Sequence, residues 1–317
     1  MRLLRAELSK LNRPLWWGVA AATALFCVLL GVGAANNAQQ QSRGTADGVR
    51  SCAEMGLPTG PACVSAQDAQ SADAARFRAE QTATSVRVAA QLNPVAAGAE
   101  AAGLIASMPG ALMLALLAGG HFGGEWSGRT MKNLLAQHGR RAEVLLAKFV
   151  SLWIAGVGLL VVSWGALAIA GPIISHVDHL PNPHESLWEA VKWAGSQGGR
   201  ALLVIAVFAA VGMLAGALTR NTVGTMATTA GVFVAILVVA GMPQFGRWTP
   251  ATWVQGWMGF SAGHGSITTL PNNFWSRFVN SNGSSPSHAL GLAGLAAMLC
   301  GCALVTWRTF SNADISG

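Results

Sequence analysis

Residues 149–171 read FVSLWIAGVGLLVVSWGALAIAG, 23 positions without one Asp, Glu, Lys or Arg. A bilayer's hydrocarbon core is about 30 Å thick, and a helix needs about 20 apolar residues to cross it. A charge at its centre costs roughly 2.5–3.5 kcal/mol on insertion scales, so an uncharged run of this length suits lipid. Five further stretches share the property: Pro14–Ala35, Gly103–Phe122, Ala201–Leu218, Thr222–Met242 and Ala289–Trp307. Only Thr219, Arg220 and Asn221 separate the fourth span from the fifth, which predicts a tight antiparallel hairpin. The composition agrees: the 317 residues are 52% hydrophobic and 10% charged, against about 25% charged in a soluble domain. Mean hydropathy is +0.44. A soluble enzyme, a disordered chain and a secreted disulfide scaffold are excluded. The expected fold is an all-α polytopic membrane protein with six transmembrane helices.

Basic residues predict the orientation. With the N-terminus in the cytoplasm, segments 1–13, 123–148, 219–221 and 308–317 are inside and hold 11 Lys and Arg in 52 positions. Segments 36–102, 172–200 and 243–288 are outside and hold 9 in 142. This is the positive-inside asymmetry, and it puts both termini in the cytoplasm. Four of the 13 acids lie inside and nine outside, so the whole net charge of +7 faces inward. The pI of 9.8 therefore reads as topology and contact with anionic lipid, not nucleic-acid binding. The first span, at 22 residues, exceeds the 7–15-residue apolar region of a cleavable signal.

Residues 1–13 read as an interfacial helix. At 100° per residue Leu4, Leu8, Leu11 and Leu15 share a 60° arc, with Arg2, Arg5, Lys10 and Arg13 elsewhere on the wheel. An ordinary positive flank is the plainer alternative. Segment 36–102 is an extracytoplasmic loop domain in which 65–92 look helical and cap the outer face. Outside the cytoplasm, Cys52 and Cys63 can close an 11-residue loop, worth about 3 kcal/mol in the chain-entropy model, the alternative being two free thiols. Cys27, Cys300 and Cys302 lie within spans and read as packing. In the last outer loop Trp253, Trp257 and Phe260, at i, i+4 and i+7 after Pro250, suit a short helix at the interface.

Familiar catalytic chemistry is missing. None of the four lysines sits in a phosphate-cradling Gly-x-x-x-x-Gly-Lys-Ser/Thr loop, so the chain is not expected to hydrolyse ATP by itself. Gly259-Phe260-Ser261-Ala262-Gly263 matches a hydrolase nucleophile elbow in letters, but that motif needs a strand before it and a helix after it. His176, Asp178, His179 and His184 fit no closed zinc spacing, and no metal or other cofactor is expected. His121 is the lone histidine inside a span and reads as a hydrogen-bonded edge residue.

Segment 123–148 is the one inner loop large enough to dock a partner. It carries Gly124-Glu125-Trp126, Gly128-Arg129-Thr130, Lys132, Leu134-Leu135 and, later, Arg141 through Ala147-Lys148. These residues resemble the Gly-x-Glu-Tyr-x-x-Gly-Thr segment of the type-2 permease subunits of ATP-binding-cassette (ABC) transporters, mostly bacterial exporters. The basic opening Leu4–Lys10, the Leu218–Asn221 hairpin and the tail from Phe310 to Asp314-Ile315 are similar too. Trp126 replaces the usual Tyr, and Arg129 is inserted before Thr130.

The resemblance implies a single permease domain over 1–317 and a multi-pass protein of the bacterial cytoplasmic membrane. It implies a coupling loop over 123–148, with Glu125, Trp126, Arg129, Thr130, Lys132, Leu134 and Leu135 meeting a separate ATPase. That partner, in two copies, would hold ATP and Mg, and this chain would pair with a second copy of itself. The second and fifth spans would line the central seam, which makes Met108, Leu112, Thr225, Thr228, Thr229 and Phe233 the expected path for an amphipathic substrate. The implied activity is export of a drug, antibiotic, peptide or lipid, and the alternative is a mechanical or sensory module driven by the ATPase. On the disulfide reading, Cys52→Ser is expected to abolish a mobility shift between reducing and non-reducing gels.

Overall fold

The computed structural model describes residues 2–11, 14–43, 51–56, 60–128, 130–131, 141–181, 186–240, 242, 245, 248–259 and 287–312. Ten helices lie within them: α1 (Arg2–Leu11), α2 (Pro14–Arg43), α3 (Pro61–Gln91), α4 (Ala97–Ala106), α5 (Met108–Ser127), α6 (Arg141–Val177), α7 (Leu187–Thr219), α8 (Thr222–Ala240), α9 (Pro250–Met258) and α10 (His288–Ser311). No strand occurs among the described residues. Helices α2, α6, α7, α8 and α10 are each long and apolar enough to cross a membrane, and the bent pair α4–α5 makes a sixth if counted as one span. The protein is a multi-pass membrane protein.

Helix α7 is the spine. Of its most apolar stretch 67% is buried inside the protein, against 39% or less for the other four long helices. It touches α4, α5, α6, α8, α9 and α10, and Val204, Ile205, Val207 and Phe208 form the middle of the largest apolar core. The other long helices turn much of their apolar surface outward: Leu25 and Leu29 on α2, Ile169 and Ile173 on α6, Val223, Val234 and Val238 on α8. In a membrane protein these side chains meet acyl chains instead of water.

Two features depart from the linear reading. The stretch expected to be one helix over 103–122 belongs to two helices, α4 and α5, which meet at a 65° bend. Ser107 has extended backbone there, and its Oγ accepts from the Gly110 N–H at 3.3 Å. Pro109, which lacks an N–H, occupies the first turn of α5, the position where a helix tolerates it. Averaged hydropathy is blind to a cap and a proline. The broken span consequently includes Glu100, fully buried on α4, which the linear reading left in the outer loop. The second departure is length. Helix α7 begins at Leu187, well before the expected start at Ala201, because Ser186 caps it by accepting from the Glu189 N–H at 3.3 Å.

At the end of the bundle away from α1, the segment 51–56 is joined to the first turn of α3 by a Cys52–Cys63 disulfide, with Cα atoms 5.7 Å apart. Helix α9 carries Trp253 and Trp257 and lies on α10, where Gly291 and Gly294 make room for it. Phe260 and the rest of 260–286 fall outside the described residues.

Helices α5, α7 and α8 meet along a seam of glycine. A methyl placed on Gly212 would overlap the Ala115 carbonyl oxygen, and one on Gly119 would come within 2.6 Å of Thr225 Cγ2. Gly216 and Gly123 repeat the approach one turn on, as expected for close-packed membrane helices. Gly212→Leu should therefore destabilise the protein by more than the roughly 1–3 kcal/mol of ordinary overpacking and so lower its thermal midpoint in detergent. Gly158→Leu, at an open position, should leave it unchanged.

Candidate functional site

Helix α6 buries one stripe of side chains, Val144, Lys148, Ser151 and Leu152. A lysine on such a stripe must find anions, since an unpaired buried charge costs several kcal/mol. Lys148, with 0% of its side chain exposed, donates to Glu7 Oε2 at 3.1 Å and to Glu125 Oε2. Lys10 closes the figure, donating to Glu7 Oε1 at 2.8 Å and to Glu125 Oε1 at 2.9 Å. Two carboxylates and two ammonium groups thus form a neutral ring in which each carboxylate oxygen holds one cation. The ring ties α1 (Glu7, Lys10) to α5 (Glu125) and α6 (Lys148).

Burial alone would raise the Glu7 carboxyl. His121, Lys10 and Lys148 outweigh it and hold the group at about 2. His121 acts from beyond hydrogen-bond distance: its Nε2 is 3.8 Å from Glu7 Oε2 and 3.9 Å from Glu125 Oε1. That nitrogen is buried without a hydrogen-bond partner, which corrects the reading of His121 as a hydrogen-bonded edge residue. Burial also works against the Lys10 ammonium, but Glu7 and Glu125 prevail and raise its pKa. Glu7, His121 and Glu125 bring three ligand-type atoms within 4.8 Å of one another. Both carboxylates already hold two ammonium groups, so the donor set suits protein cations and not a divalent ion.

The last turns of α5 are held from other sides as well. Phe310 of α10 packs against Phe122 and, edge-on, against Trp126, with both ring centroids 6.3 Å away. Arg220, in the left-handed turn between α7 and α8, lies 5.2 Å over the Trp126 ring. Ser127 Oγ and Thr222 Oγ1 are 3.2 Å apart. Arg141, opening α6, donates to the carbonyls of Phe310 and Ser311. Residues 120–128 are thereby fixed to α1, α6, α8 and α10 immediately before the stretch 129–140 that leads to α6.

Beside this hub runs a slot of about 770 Å³ along α5. Leu112, Met113, Leu116 and Leu117 form one wall, and Trp16 of α2 and Met226 of α8 face them. Polar groups gather at the α1 end, where Lys10, His121 and Glu125 line it.

The expected site residues divide. Glu125 does not present its charge outward; it is 11% exposed and engaged by both lysines. Trp126 is half-buried in the aromatic contact, and Thr130 is exposed, donating to the Glu125 carbonyl at 3.1 Å. Arg129, Lys132, Leu134 and Leu135 lie outside the described residues. Of the expected pathway residues, Leu112 lines the slot. Thr225, Thr229 and Phe233 face the protein interior instead. Thr225 donates to the Asn221 carbonyl at 2.6 Å and pairs with Thr219 Oγ1 at 2.7 Å, while Phe233 packs on Phe208. Their i, i+4, i+8 spacing is the packing face of α8. Thr228 is exposed, and Met108 rests against the main core.

Glu7→Gln should destabilise the protein by about 3–5 kcal/mol, the usual result of stripping one partner from a buried pair. Because folding depresses the Glu7 pKa, its contribution is present above the unfolded value of about 4.3 and lost as pH falls towards 2. Thermal midpoints at pH 7 and pH 3 should therefore differ less in Glu7→Gln than in wild type.

The family comparison meets this geometry at the same place. The model for ABC-2 family transporter proteins matches residues 3–252, from α1 into α9. No match was found among curated proteins. Proteins of that family are transmembrane subunits and not nucleotide-binding domains, and they normally pair with an ABC ATPase. A multi-pass helical bundle, matched from its first helix through its charged hub, belongs to the ABC-2 family of transporter permeases.

Proposed function

We propose that this chain is the membrane-spanning half of an ATP-driven exporter for an amphipathic or hydrophobic compound, acting as a homodimer with two copies of a separate ATPase. The ATPase supplies the ATP and Mg site, and the permease binds no cofactor of its own. The α1 end faces the cytoplasm of a bacterial cell, with α1 lying along the inner face of the cytoplasmic membrane. Loop residues Arg129, Lys132, Leu134 and Leu135 meet the ATPase, while Glu125 and Trp126 act behind them by holding the loop's root. One observation carries the reading: residues 120–128 are bound to four other helices and lead directly into that loop. A push on the loop then moves α1, α5, α6 and α10 together, as rigid-body switching requires. Cargo lies against Leu112 and the rest of the apolar slot.

A second reading has its own support. The 30 residues of α2 and 31 of α3, with a disulfide beyond the end of α2, suit a mechanical output on the far side of the membrane. ATP-dependent uptake of labelled amphiphiles into inverted vesicles favours export, and its absence across a broad panel favours the mechanical module.

The coupling assignment is tested with Leu134→Asp combined with Leu135→Asp. Recovery of the ATPase on the tagged permease should fall at least tenfold, about 1.4 kcal/mol, with the permease melting point unchanged. Undiminished recovery would remove the loop from the interface.

A further inference from the structure

The slot along α5 changes character over its length. Leu112, Leu116 and Met226 make its apolar part, and Lys10, His121 and Glu125 close its α1 end. Within the ring, Glu7 and Lys148 are sealed and Glu125 is 11% exposed, whereas Lys10 is 31% exposed. A head group arriving through the slot thus meets an ammonium first. Lysine has three N–H donors, and Glu7 and Glu125 take two of them from Lys10. Among the described residues no acceptor takes the third. A cationic head would need Glu125, whose oxygens already hold two ammonium groups.

We propose that the slot binds an amphiphile with an anionic head, of the phosphate or carboxylate class, its apolar body on the leucine and methionine walls and its head on Lys10. This rests on the slot being a ligand path, and it adds the head-group charge and a link to the ring. The bound head shares Lys10 with Glu125. One of the two cations joining α1 to α5 is thereby drawn off, while Lys148 still bridges Glu7 and Glu125. Occupancy of the slot is in this way felt at the root of the loop.

Binding is measured on the purified permease without its ATPase, so the outcome is independent of transport. Native mass spectrometry counts retained dioleoyl phosphatidylglycerol against dioleoyl phosphatidylcholine. Dodecyl phosphate and dodecyltrimethylammonium serve as competitors, to separate a lipid requirement from a general anionic amphiphile. The expected preference for the anionic lipid is about fivefold, the worth of one lysine beside such a lipid. It should vanish in Lys10→Gln, persist in Lys10→Arg, and both lipids should be lost in the slot-filling Leu116→Trp. Should Lys10→Gln fail to fold, competition on the wild type decides: dodecyl phosphate must displace the lipid better than dodecyltrimethylammonium does. Equal retention of the two lipids, a preference that survives Lys10→Gln, or stronger competition by the cation overturns the proposal. So does a Leu116→Trp protein that turns from dimer to monomer, since the slot would then be covered by a second copy.

Discussion

Four charged side chains, two of them sealed from solvent, hold the α1 end of this protein together. Glu7, Lys10, Glu125 and Lys148 are each satisfied by two opposite charges, and the sum is neutral. Replacing such a group by an apolar residue is often tolerated elsewhere, but removing one member alone strands the others. The ring also decides geometry. Hydrogen-bonded ion pairs keep their strength over a few tenths of an ångström, so α1, α5 and α6 have little freedom to slide against one another.

Helix α5 owes its stiffness to two unlike contacts on its flanks. Towards α1 and α6 it is held by charge. Towards α7 and α8 it is held by the absence of side chains, at Gly119 and Gly123 against Gly212, Gly216 and Thr225. The first contact is directional and the second is steric, and together they leave the slot as the open face. Trp126 and Phe310 extend the hold to the last helix, so the first helix and the last are both anchored within two turns of α5.

The spans were legible because lipid imposes one rule on about 20 consecutive residues, and hydropathy measures that rule directly. The break at Ser107 was not, because a capping serine and Pro109 act through single hydrogen bonds that averaging erases. The ring was hidden for another reason. Counting charges assigns Glu7, Lys10, Glu125 and Lys148 to flanks, and nothing in a count says which of them meet. Two signals were present all the same. On the α1 wheel Glu7 lies about 40° from the edge of the leucine arc, and Lys148 falls in register with Val144 and Leu152 on a buried face. The α8 threonines show the opposite limit: their periodicity is real, but a polar stripe at helical spacing does not say whether it faces a pore or a neighbouring helix. The segment around Gly124–Thr130 pointed to the family because its residues form a pattern, and the match over 3–252 agrees.

The ring has a consequence for synthesis. Lys10 and Glu125 are 115 residues apart along the chain, and Glu7 and Lys148 are 141 apart. At about 5–20 residues per second, roughly 7–28 seconds pass between the ribosome adding Glu7 and adding Lys148. Through the synthesis of two hydrophobic segments Glu7 has only Lys10 of its own helix as a partner, and its second cation arrives with the third. A nascent chain stalled in that interval has Glu7 paired with Lys10 alone, so its first helix is held by neither α5 nor α6.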